Sequence, residues 1–296
     1  MTVATAETVR SQLRASQGPR TRPRGQLLKW IGNKFRHAEI IAAHLPSQLG
    51  TYYEPFAGTA ALAATLTPTA AVASDALPEL VALFELVKTG PEDLLEHYQI
   101  WSEAIVERGN DAYLDVRNRF NTDRRPEDLL VLSRTCWGGV VRFTRSGTIS
   151  TPLGPHRAMS SAKLAGYLVD WRARLRNVDF RCQDFAATMG LAGVGDTIYC
   201  DPPFSHGQAM LYGAHDFRLE SLWEATAEAA DRGARVAVSL DGSRKSGKDP
   251  ITPDVPPYLF VREVLIDSGG CMLRRFRAGG QDMRLEQVSE RLLLTW

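Results

Sequence analysis

The sequence predicts an α/β protein whose central sheet is mostly parallel. Short apolar runs alternate with helical patterns along much of the chain, which is typical of repeated βαβ units. Two of these runs end in an acidic residue at a turn, Asp75 and Asp201, at the strand end where open α/β sheets bind ligands. Two later strand-like segments, 258–266 and 291–296, are expected to close the sheet as an antiparallel pair.

Length and composition limit the class of protein. The 296 residues suggest one large domain, or one domain with an insertion. No apolar run approaches the roughly 20 residues that a membrane helix needs, and the N-terminus has no apolar signal core. We therefore expect a cytoplasmic protein without a membrane partner. The four cysteines lie far apart, without a CxxC pair or a nearby histidine cluster. This spacing favours structural thiols and predicts no metal site.

Basic residues are unevenly distributed, although the net charge is only +1. Residues 1–36 hold eight Lys or Arg and one acidic residue, and residues 117–145 hold seven arginines against three acids. Such local surfaces can bind a polyanion even when the whole chain is nearly neutral. Taken alone, either segment is more simply explained as a soluble tail or a solvated helix face.

The first elements predict a leader and then a nucleoside-binding unit. Residues 1–25 are rich in arginine and poor in large apolar residues, so we expect a disordered basic leader with one short helix at 7–13. The elements expected next are a helix at 34–44, a strand at 51–56, a glycine loop at 57–60, a helix at 61–66 and a strand at 70–74. Gly58 allows close backbone approach to a ligand, and Asp75 can accept both ribose hydroxyls.

A helical block with a hairpin interrupts this pattern. A helix at 78–88 ends at Gly90-Pro91, a boundary signal, and three helices without strand signals are expected at 93–106, 112–120 and 126–135. Two β-rich runs within 137–153, joined by Arg-Ser-Gly, predict a hairpin. Its aromatic residue, its two arginines and its hydroxyls suit phosphate contact and base-edge readout, although an ordinary exposed hairpin is an equal alternative.

The second half returns to the α/β pattern. The expected elements are a helix at 160–177 with Ser160 as its N-cap, a strand at 178–182, a strand at 196–200, a polar loop at 205–216, a helix at 219–232, a strand at 235–240 and a mobile loop at 241–257. The strand at 196–200 runs into Asp201-Pro202-Pro203-Phe204. Proline cannot continue a ladder and makes the residue before it extended, so this turn holds a carboxylate, a carbonyl and an aromatic ring stiffly.

These motifs, in this order, resemble the Dam-type DNA adenine-N6 methyltransferases (D12 class, alpha group). The motifs are Leu28-Lys29-Trp30-Ile31-Gly32-Asn33-Lys34, Glu54-Pro55-Phe56-Ala57-Gly58, Asp75, the basic insert, Gln183-Asp184-Phe185 and Asp201-Pro202-Pro203-Phe204. The resemblance runs from about residue 27 to the C-terminus. It implies a Rossmann-like catalytic domain at 26–90 and 160–296, interrupted by a target-recognition insertion at 91–159. It also implies the cofactor S-adenosyl-L-methionine (AdoMet) and a double-stranded DNA partner.

The resemblance assigns roles at the cofactor. Trp30 and Lys34 would hold the methionine end of AdoMet, with Lys34 pairing its carboxylate. Phe56 and Gly58 would shape the pocket, and Asp75 would bind the ribose hydroxyls. The residues implied to contact the cofactor's adenine are Asp184 and Phe185, and Asp201 is also expected beside the cofactor.

The resemblance also assigns DNA contacts on the hairpin. Trp137 would insert into the base stack, Arg142 would read a guanine edge, and Pro152 matches a further hairpin position at the DNA. Arg145 is the second arginine that the hairpin offers to the duplex.

In the implied reaction, Asp201 and the Pro202 carbonyl accept the two N6 hydrogens of a flipped-out adenine. The nitrogen lone pair then localises and attacks the AdoMet methyl. Pro203 stiffens the turn, and Phe204 offers a face on which the flipped base stacks.

Two residues depart from the family pattern. Ala60 stands where the glycine loop usually has its last Gly, and alanine fits there if its φ is negative. Phe204 replaces the commoner Tyr and keeps a stacking face. The alternatives are an RNA adenine-N6 methyltransferase or an inactive DNA-binding module. The recognition sequence, the oligomeric state, the biological role (restriction, phage defence or housekeeping) and any other components of such a system stay open.

Overall fold

The computed structural model describes residues 20–203, 217–241, 255–267 and 289–296. In these ranges the helices are α1 (Ala38–His44), α2 (Ala61–Leu66), α3 (Pro78–Thr89), α4 (Pro91–Arg108), α5 (Asn110–Asp123), α6 (Pro126–Thr135), α7 (Ser161–Leu175), α8 (Phe185–Met189) and α9 (Leu219–Asp231). The strands are β1 (Tyr52–Glu54), β2 (Ala71–Asp75), β3 (Val178–Cys182), β4 (Thr197–Cys200), β5 (Arg235–Asp241), β6 (Arg262–Asp267) and β7 (Ser289–Leu294).

The strands form one sheet in the order β3-β2-β1-β4-β5-β7-β6 across the described residues. The pairs β1–β2, β2–β3, β1–β4 and β4–β5 are parallel. Strand β7 runs antiparallel between β5 and β6. The predicted fold class, mostly parallel with an antiparallel C-terminal closure, is confirmed. The chain winds outward from β1 to β3, returns to β4 beside β1 and winds the other way, which places the reversal between β1 and β4.

Alternating residues of the strands fill two separate cores. Tyr52, Tyr199 and Ala237 belong to the core beneath α1, α2, α3 and α7. Their neighbours Tyr53 and Ile198, by contrast, pack in the core beneath α8 and α9. Because successive strand side chains point to opposite faces, a parallel sheet covered on both sides is mostly apolar along each strand. Strands β1 and β4 are buried at every residue, so the sheet is the middle of three layers.

The helices of the insertion share a core with the sheet domain. Residues of α4, α5 and α6 belong to the same buried cluster as Leu80 and Phe84 of α3 and Trp171 of α7. Phe84 stacks between Trp171 and Phe180, with ring centroids 6.4 and 5.0 Å away. The division into a catalytic domain and a recognition insertion stays a prediction.

The predicted hairpin forms without regular strands. Two isolated antiparallel bridges, Cys136 to Leu153 and Phe143 to Ile149, hold it together, and residues Trp137–Gly139 form a 3₁₀ turn. The ladder is incomplete because side chains satisfy the hairpin's backbone instead. Asn121 of α5 binds both the N–H and the carbonyl of Ile149, at 2.7 and 3.1 Å. The two predicted β-rich runs therefore pair as a hairpin, but not as regular strands.

Other boundaries differ more modestly from those that the sequence predicts. The helix expected at 34–44 divides into a 3₁₀ turn at Lys34–Arg36 and α1. Ser160 caps α7 as expected, accepting a hydrogen bond from the Lys163 N–H at 3.4 Å. The helix α8 was not predicted. Asp184 caps it, and the Asp184 carboxylate accepts from the Ala186 N–H at 2.8 Å.

Some predictions fall outside the described residues. These are the helix at 7–13, most of the leader, Phe204, the loop at 205–216 and nearly all of the loop at 241–257.

Ala60 has a left-handed backbone, with φ +51° and ψ 27°, so the negative φ under which alanine would fit this position is not observed. The residue is fully buried at the start of α2, and its carbonyl accepts from the Ala64 N–H at 2.9 Å. The strain of a left-handed L-residue is about 1–2 kcal/mol. The glycine loop therefore keeps its geometry despite carrying alanine.

Enlarging Ala60 should destabilise the fold. We expect Ala60→Val to lower the free energy of unfolding by about 2–5 kcal/mol, because a β-branched residue tolerates positive φ poorly and the extra methyls overpack a buried site. Ala60→Gly is the control. It should stay within about 1 kcal/mol of wild type, since relief of strain offsets a lost buried methyl. Urea unfolding measures both, and equal stability of the valine variant would contradict the backbone assignment.

Candidate active site

A cavity of about 560 Å³ opens at the carboxyl ends of β1 and β4, where the winding of the sheet reverses. Ten of the residues that the sequence predicts for the cofactor and for catalysis line it. They are Trp30, Lys34, Phe56, Gly58, Asp75, Asp184, Phe185, Asp201, Pro202 and Pro203. They come from five separate stretches of sequence, and the topology alone brings them together. Phe204, the remaining predicted catalytic residue, lies outside the described residues.

Asp75 at the end of β2 fixes the glycine loop. Its Oδ2 accepts from the Gly58 N–H at 3.0 Å and its Oδ1 accepts from the Leu77 N–H at 3.0 Å. Burial raises the pKa of Asp75, and the hydrogen bonds from Leu77, Gly58 and Ala76 oppose this shift. Gly58 has φ +48°, which glycine adopts without strain. The carboxylate and the loop therefore form one rigid wall of the cavity.

Three aromatic rings form a second wall. Phe56 after β1 stacks on Phe185 at the start of α8, with centroids 5.1 Å apart and planes inclined by 23°. Phe217 meets Phe56 and Phe185 edge-on, with both centroid distances at 5.7 Å. Stacked and edge-on rings leave a flat apolar surface that suits another planar ring. Phe217 was missed because its position just before α9 carries no motif.

The opposite end of the cavity is charged. Lys34 Nζ lies 2.8 Å from Asp201 Oδ1 and 3.4 Å from Glu290 Oε1. The three side chains are only 10%, 18% and 14% exposed. Two carboxylates around one ammonium satisfy it in a site that excludes most water. Glu290 lies on β7, far along the chain from both partners, and no motif in the sequence marks it.

Glu54 is the most strongly shifted acid of the cavity. It is fully buried, and its Oε2 accepts from the Tyr52 hydroxyl and from the Ala63 N–H, both at 3.0 Å. Burial is the main cause that raises the pKa of Glu54 to about 8, and the Asp201 charge adds to it. Glu54 lies in the Glu54–Gly58 motif. Nothing in the sequence, however, indicates that this carboxyl is protonated at neutral pH.

The hairpin contributes to the same cavity. Phe143 and Gly147 of the hairpin line it, together with Arg124, which follows α5. The Arg124 guanidinium donates to the Gly147 carbonyl at 2.6 Å and to Glu79 Oε1 of α3 at 2.5 Å. Arg124 therefore ties the hairpin tip to the helix that begins just after Asp75.

The four residues predicted for DNA contact lie on the hairpin surface, away from the cavity lining. Trp137 is 45% exposed, and Arg142, Arg145 and Pro152 are also exposed. Their backbones are held in place. The Trp137 N–H donates to the Pro152 carbonyl at 2.8 Å, and the Arg142 N–H donates to Thr151 Oγ1 at 3.0 Å. Fixed backbones and exposed side chains are consistent with a contact surface for a partner.

Two further features bear on the class of protein. In the described ranges, no group of three or more His, Cys, Asp or Glu side chains is arranged to hold a metal ion. The expectation of no metal stays a prediction. Within the same ranges, no helix combines the length and apolarity needed to cross a membrane.

Comparison with known proteins gives a consistent result. A family model described as D12 class N6 adenine-specific DNA methyltransferase matches residues 30–227. A DNA adenine methylase of Serratia marcescens is 28% identical over 183 residues, which are 60% of this chain and 66% of that protein. The DNA N-6-adenine-methyltransferase of Escherichia phage P1 is 28% identical over 256 residues, which are 82% of this chain and 31% of that protein. The chain thus spans less than two thirds of either relative.

A solved structure, an rRNA methyltransferase aviRa of Streptomyces viridochromogenes, is 15% identical, covering 88% of this chain and 84% of that one. Its TM-score is 0.38, so the fold assignment rests on the sheet topology.

The raised pKa of Glu54 predicts a pH-dependent stability. The folded state binds the Glu54 proton more tightly than the unfolded state, so this group stabilises the fold at acid pH and loses that contribution as pH rises toward 8. Glu54→Gln mimics the protonated acid. We expect the variant to match wild type at pH 5 and to be more stable at pH 8, by on the order of 3 kcal/mol.

Urea unfolding at both pH values measures the difference between the two proteins. Glu92→Gln, at a side chain 77% exposed, is the control and should show no such dependence. A constant difference between Glu54→Gln and wild type from pH 5 to pH 8 would contradict the protonated assignment.

Proposed function

Because the chain belongs to the D12 class of N6 adenine-specific DNA methyltransferases, we propose that it transfers the methyl group of AdoMet to N6 of an adenine in duplex DNA. The observation that carries the proposal is the convergence of Asp75, the Phe56–Phe185 stack and Asp201-Pro202-Pro203 on one cavity. Asp75 and the aromatic stack suit the ribose and the base of a nucleoside. The carboxylate and carbonyl of the Asp201 turn suit the hydrogens of an amine. Their meeting at the reversal point of the sheet follows the general rule for ligand sites in open α/β folds.

The cavity fits AdoMet in chemistry and in size. Its volume of about 560 Å³ lies within the usual range for ligand pockets of roughly 300–1,000 Å³. The Phe56–Phe185 surface would hold the adenine ring and Asp75 the ribose hydroxyls. Lys34 would pair the methionine carboxylate. Glu290 Oε2 is buried without a hydrogen-bond partner in the described ranges, so it can accept from the methionine ammonium.

When bound, AdoMet supplies an electrophilic methyl on its sulfonium. The residues of this chain prepare the nucleophile. An exocyclic adenine amine is weak because its lone pair is delocalised into the ring. Asp201 and the Pro202 carbonyl would each accept one N6 hydrogen, which lets the nitrogen pyramidalise and its lone pair localise. As the N–C bond forms, the C–S bond breaks and its electron pair stays on sulfur, and the surplus N6 proton passes to the Asp201 carboxylate or to water.

Lys34 connects the two halves of this site. Its ammonium lies 2.8 Å from Asp201, and an ionised carboxylate offers only acceptor positions, as the N6 hydrogens require. With cofactor and base in place, the same ammonium can bridge Asp201 and the methionine carboxylate. Protonated Glu54 behind them limits the number of negative charges in the cavity.

The target adenine must leave the duplex to reach this cavity, because the amine is inaccessible inside the stack. Trp137 would fill the space that the base vacates, since it is large, aromatic and exposed on the hairpin. Arg142 and Arg145 are exposed on the same hairpin, where they can read a base edge and bind a phosphate. Phe204 would offer the flipped base a stacking face.

Removing the carboxylate of Asp201 tests the catalytic assignment. We expect Asp201→Ala to lower the rate of methyl transfer by at least about 10²–10³-fold, because an acceptor that stabilises developing charge is lost. Duplex binding should survive. Asp179→Ala, at an exposed acid on β3 that pairs with Arg181, is the matched control and should retain the wild-type rate. Near wild-type turnover in Asp201→Ala would remove this residue from the mechanism.

Truncating Arg142 tests the readout of sequence. Arg142→Ala should relax preference at one base pair, at a cost of roughly 1–3 kcal/mol of discrimination, because a bidentate base contact is lost. Arg145→Ala on the same hairpin is the comparison, and a phosphate contact there should weaken binding to all sequences equally. Methylation of a randomised duplex library, read by single-molecule sequencing, reports both. An unchanged recognition profile in Arg142→Ala would refute its role.

A further inference from the structure

Arg124, the residue that ends α5, has an unusual backbone conformation. Its φ is +56° and its ψ is 36°, and its N–H donates to the Phe120 carbonyl at 2.9 Å. Glycine is the usual residue at such a helix end, because an L-residue is strained there. The chain thus keeps an arginine where the helix end alone would favour glycine, which directs attention to what the side chain does.

The Arg124 guanidinium connects the hairpin to the helix beside the cofactor pocket. Its Nε donates to Glu79 Oε1 in the first turn of α3 at 2.5 Å, and its Nη1 donates to the Gly147 carbonyl at 2.6 Å. It also lies over the rings of Phe120 and Phe143, at 4.8 and 5.9 Å from their centroids. Arginine suits this position because its planar fork donates in two directions while its face rests on aromatic rings. We call these contacts the Arg124 bridge.

The Glu79 end of the bridge adjoins the expected ribose site. Glu79 is buried, at 6% exposure, and Pro78 alone separates it from Leu77. The Leu77 N–H donates to Asp75 Oδ1 at 3.0 Å, and Ala76 and Leu77 line the cofactor cavity. A ligand held at Asp75 therefore touches the segment that anchors the bridge.

The other end of the bridge holds the turn at the hairpin tip. The Gly147 N–H donates to the Thr144 carbonyl at 2.9 Å, and the Thr144 N–H donates to the Thr148 carbonyl at 2.8 Å. Arg145 lies within this turn, and Arg142 lies shortly before it. The bridge thus fixes the backbone that carries the two arginines for which DNA contacts are proposed.

The cofactor cavity reaches both ends of the bridge. Asp75 and Leu77 line it from the sheet, and Phe143, Gly147 and Arg124 itself line it from the hairpin side. A ligand that fills the cavity therefore contacts both elements, and it gains both sets of contacts only while the bridge holds them together. Two ligands that favour the same arrangement of one element are energetically coupled.

We propose that Arg124 is a positioning residue that couples cofactor binding to DNA binding, a proposal that rests on the function proposed above. AdoMet in the cavity would hold the hairpin tip where Arg142 and Arg145 contact the duplex, and the duplex would hold the tip over the cofactor. The Arg124 guanidinium acts without touching the DNA, since Glu79, the Gly147 carbonyl and two rings already engage it. Coupling of this kind is reciprocal and typically amounts to about 5–150-fold in affinity.

Equilibrium binding of sinefungin, an AdoMet analogue without a transferable methyl group, measures the coupling. The duplex is selected from a randomised library by the wild-type protein bound to sinefungin. Wild type should bind sinefungin at least about fivefold more tightly with this duplex than without it, and sinefungin should raise duplex affinity by the same factor. In Arg124→Gly the factor should fall to within roughly twofold of one. Glycine adopts the left-handed backbone without strain, so the end of α5 is kept.

Further variants separate coupling from folding and from charge. Arg124→Gly leaves Glu79 buried without this partner, so it is also combined with Glu79→Gln, which removes the unpaired charge. The double variant should lose the coupling and bind sinefungin alone within about twofold of wild type. Arg125→Ala is the matched control, since it removes the same charge from the exposed neighbour that pairs with Glu127 at 3.8 Å. It should keep the wild-type factor.

The possible outcomes are distinct. A factor of one in wild type, or the wild-type factor in both Arg124→Gly variants, would overturn the proposal. Weaker binding of both ligands with an unchanged factor would also overturn it, because a purely structural residue behaves in this way. A fall in duplex affinity alone, with a shallower salt dependence, would assign Arg124 to a phosphate contact instead. If the library yields no enriched duplex, the proposed function fails as well, whereas an enriched duplex with unaltered coupling refutes only the role of Arg124.

Discussion

The reversal of winding between β1 and β4 is the constraint on which the site depends. There, β1 and β4 are followed along the chain by helices on opposite faces of the sheet, α2 and α9, and a crevice lies at the carboxyl ends of the two strands. Strand β1 delivers the Glu54–Gly58 loop to this crevice, and β4 delivers Asp201. Buried apolar strands make the crevice rigid, so loops with few contacts of their own hold fixed positions. The chemistry is thus positioned by topology.

The crevice contains acidic and basic side chains close to one another. Lys34 supplies one positive charge between Asp201 and Glu290, and Glu54 stays protonated through burial. Asp75, Asp184 and Arg124 also line the cavity, so its ionised acids outnumber its cations by two, which suits a cofactor that carries a sulfonium. Replacing Glu54 by an always-ionised group, or removing Lys34, would disturb this balance. The hairpin joins the same site through Arg124, whose guanidinium contacts both Gly147 and Glu79.

Strong local signals made much of the fold predictable. The helices at 61–66 and 126–135 have the expected bounds, because small-residue packing and an N-terminal proline define them. Four of the five motifs were identifiable because each lies at the end of a strand, whereas the segment Leu28–Lys34 precedes β1. Phe217 and Glu290 could not be found, because only tertiary packing brings them to the cavity. The hairpin has no regular strands because side chains of α5 form hydrogen bonds with its backbone. Such competition for backbone groups cannot be predicted from a local sequence pattern.

The central claim is that this crevice methylates adenine N6 in DNA. The most direct test incubates the purified chain with methyl-labelled AdoMet and a duplex DNA of mixed sequence, then digests the product to nucleosides for mass spectrometry. A matched RNA duplex is run in parallel. The proposed reaction predicts label in N6-methyldeoxyadenosine, with the DNA duplex as the better acceptor. Label in cytosine, RNA as the better acceptor, or no transfer to DNA by the intact chain would contradict it.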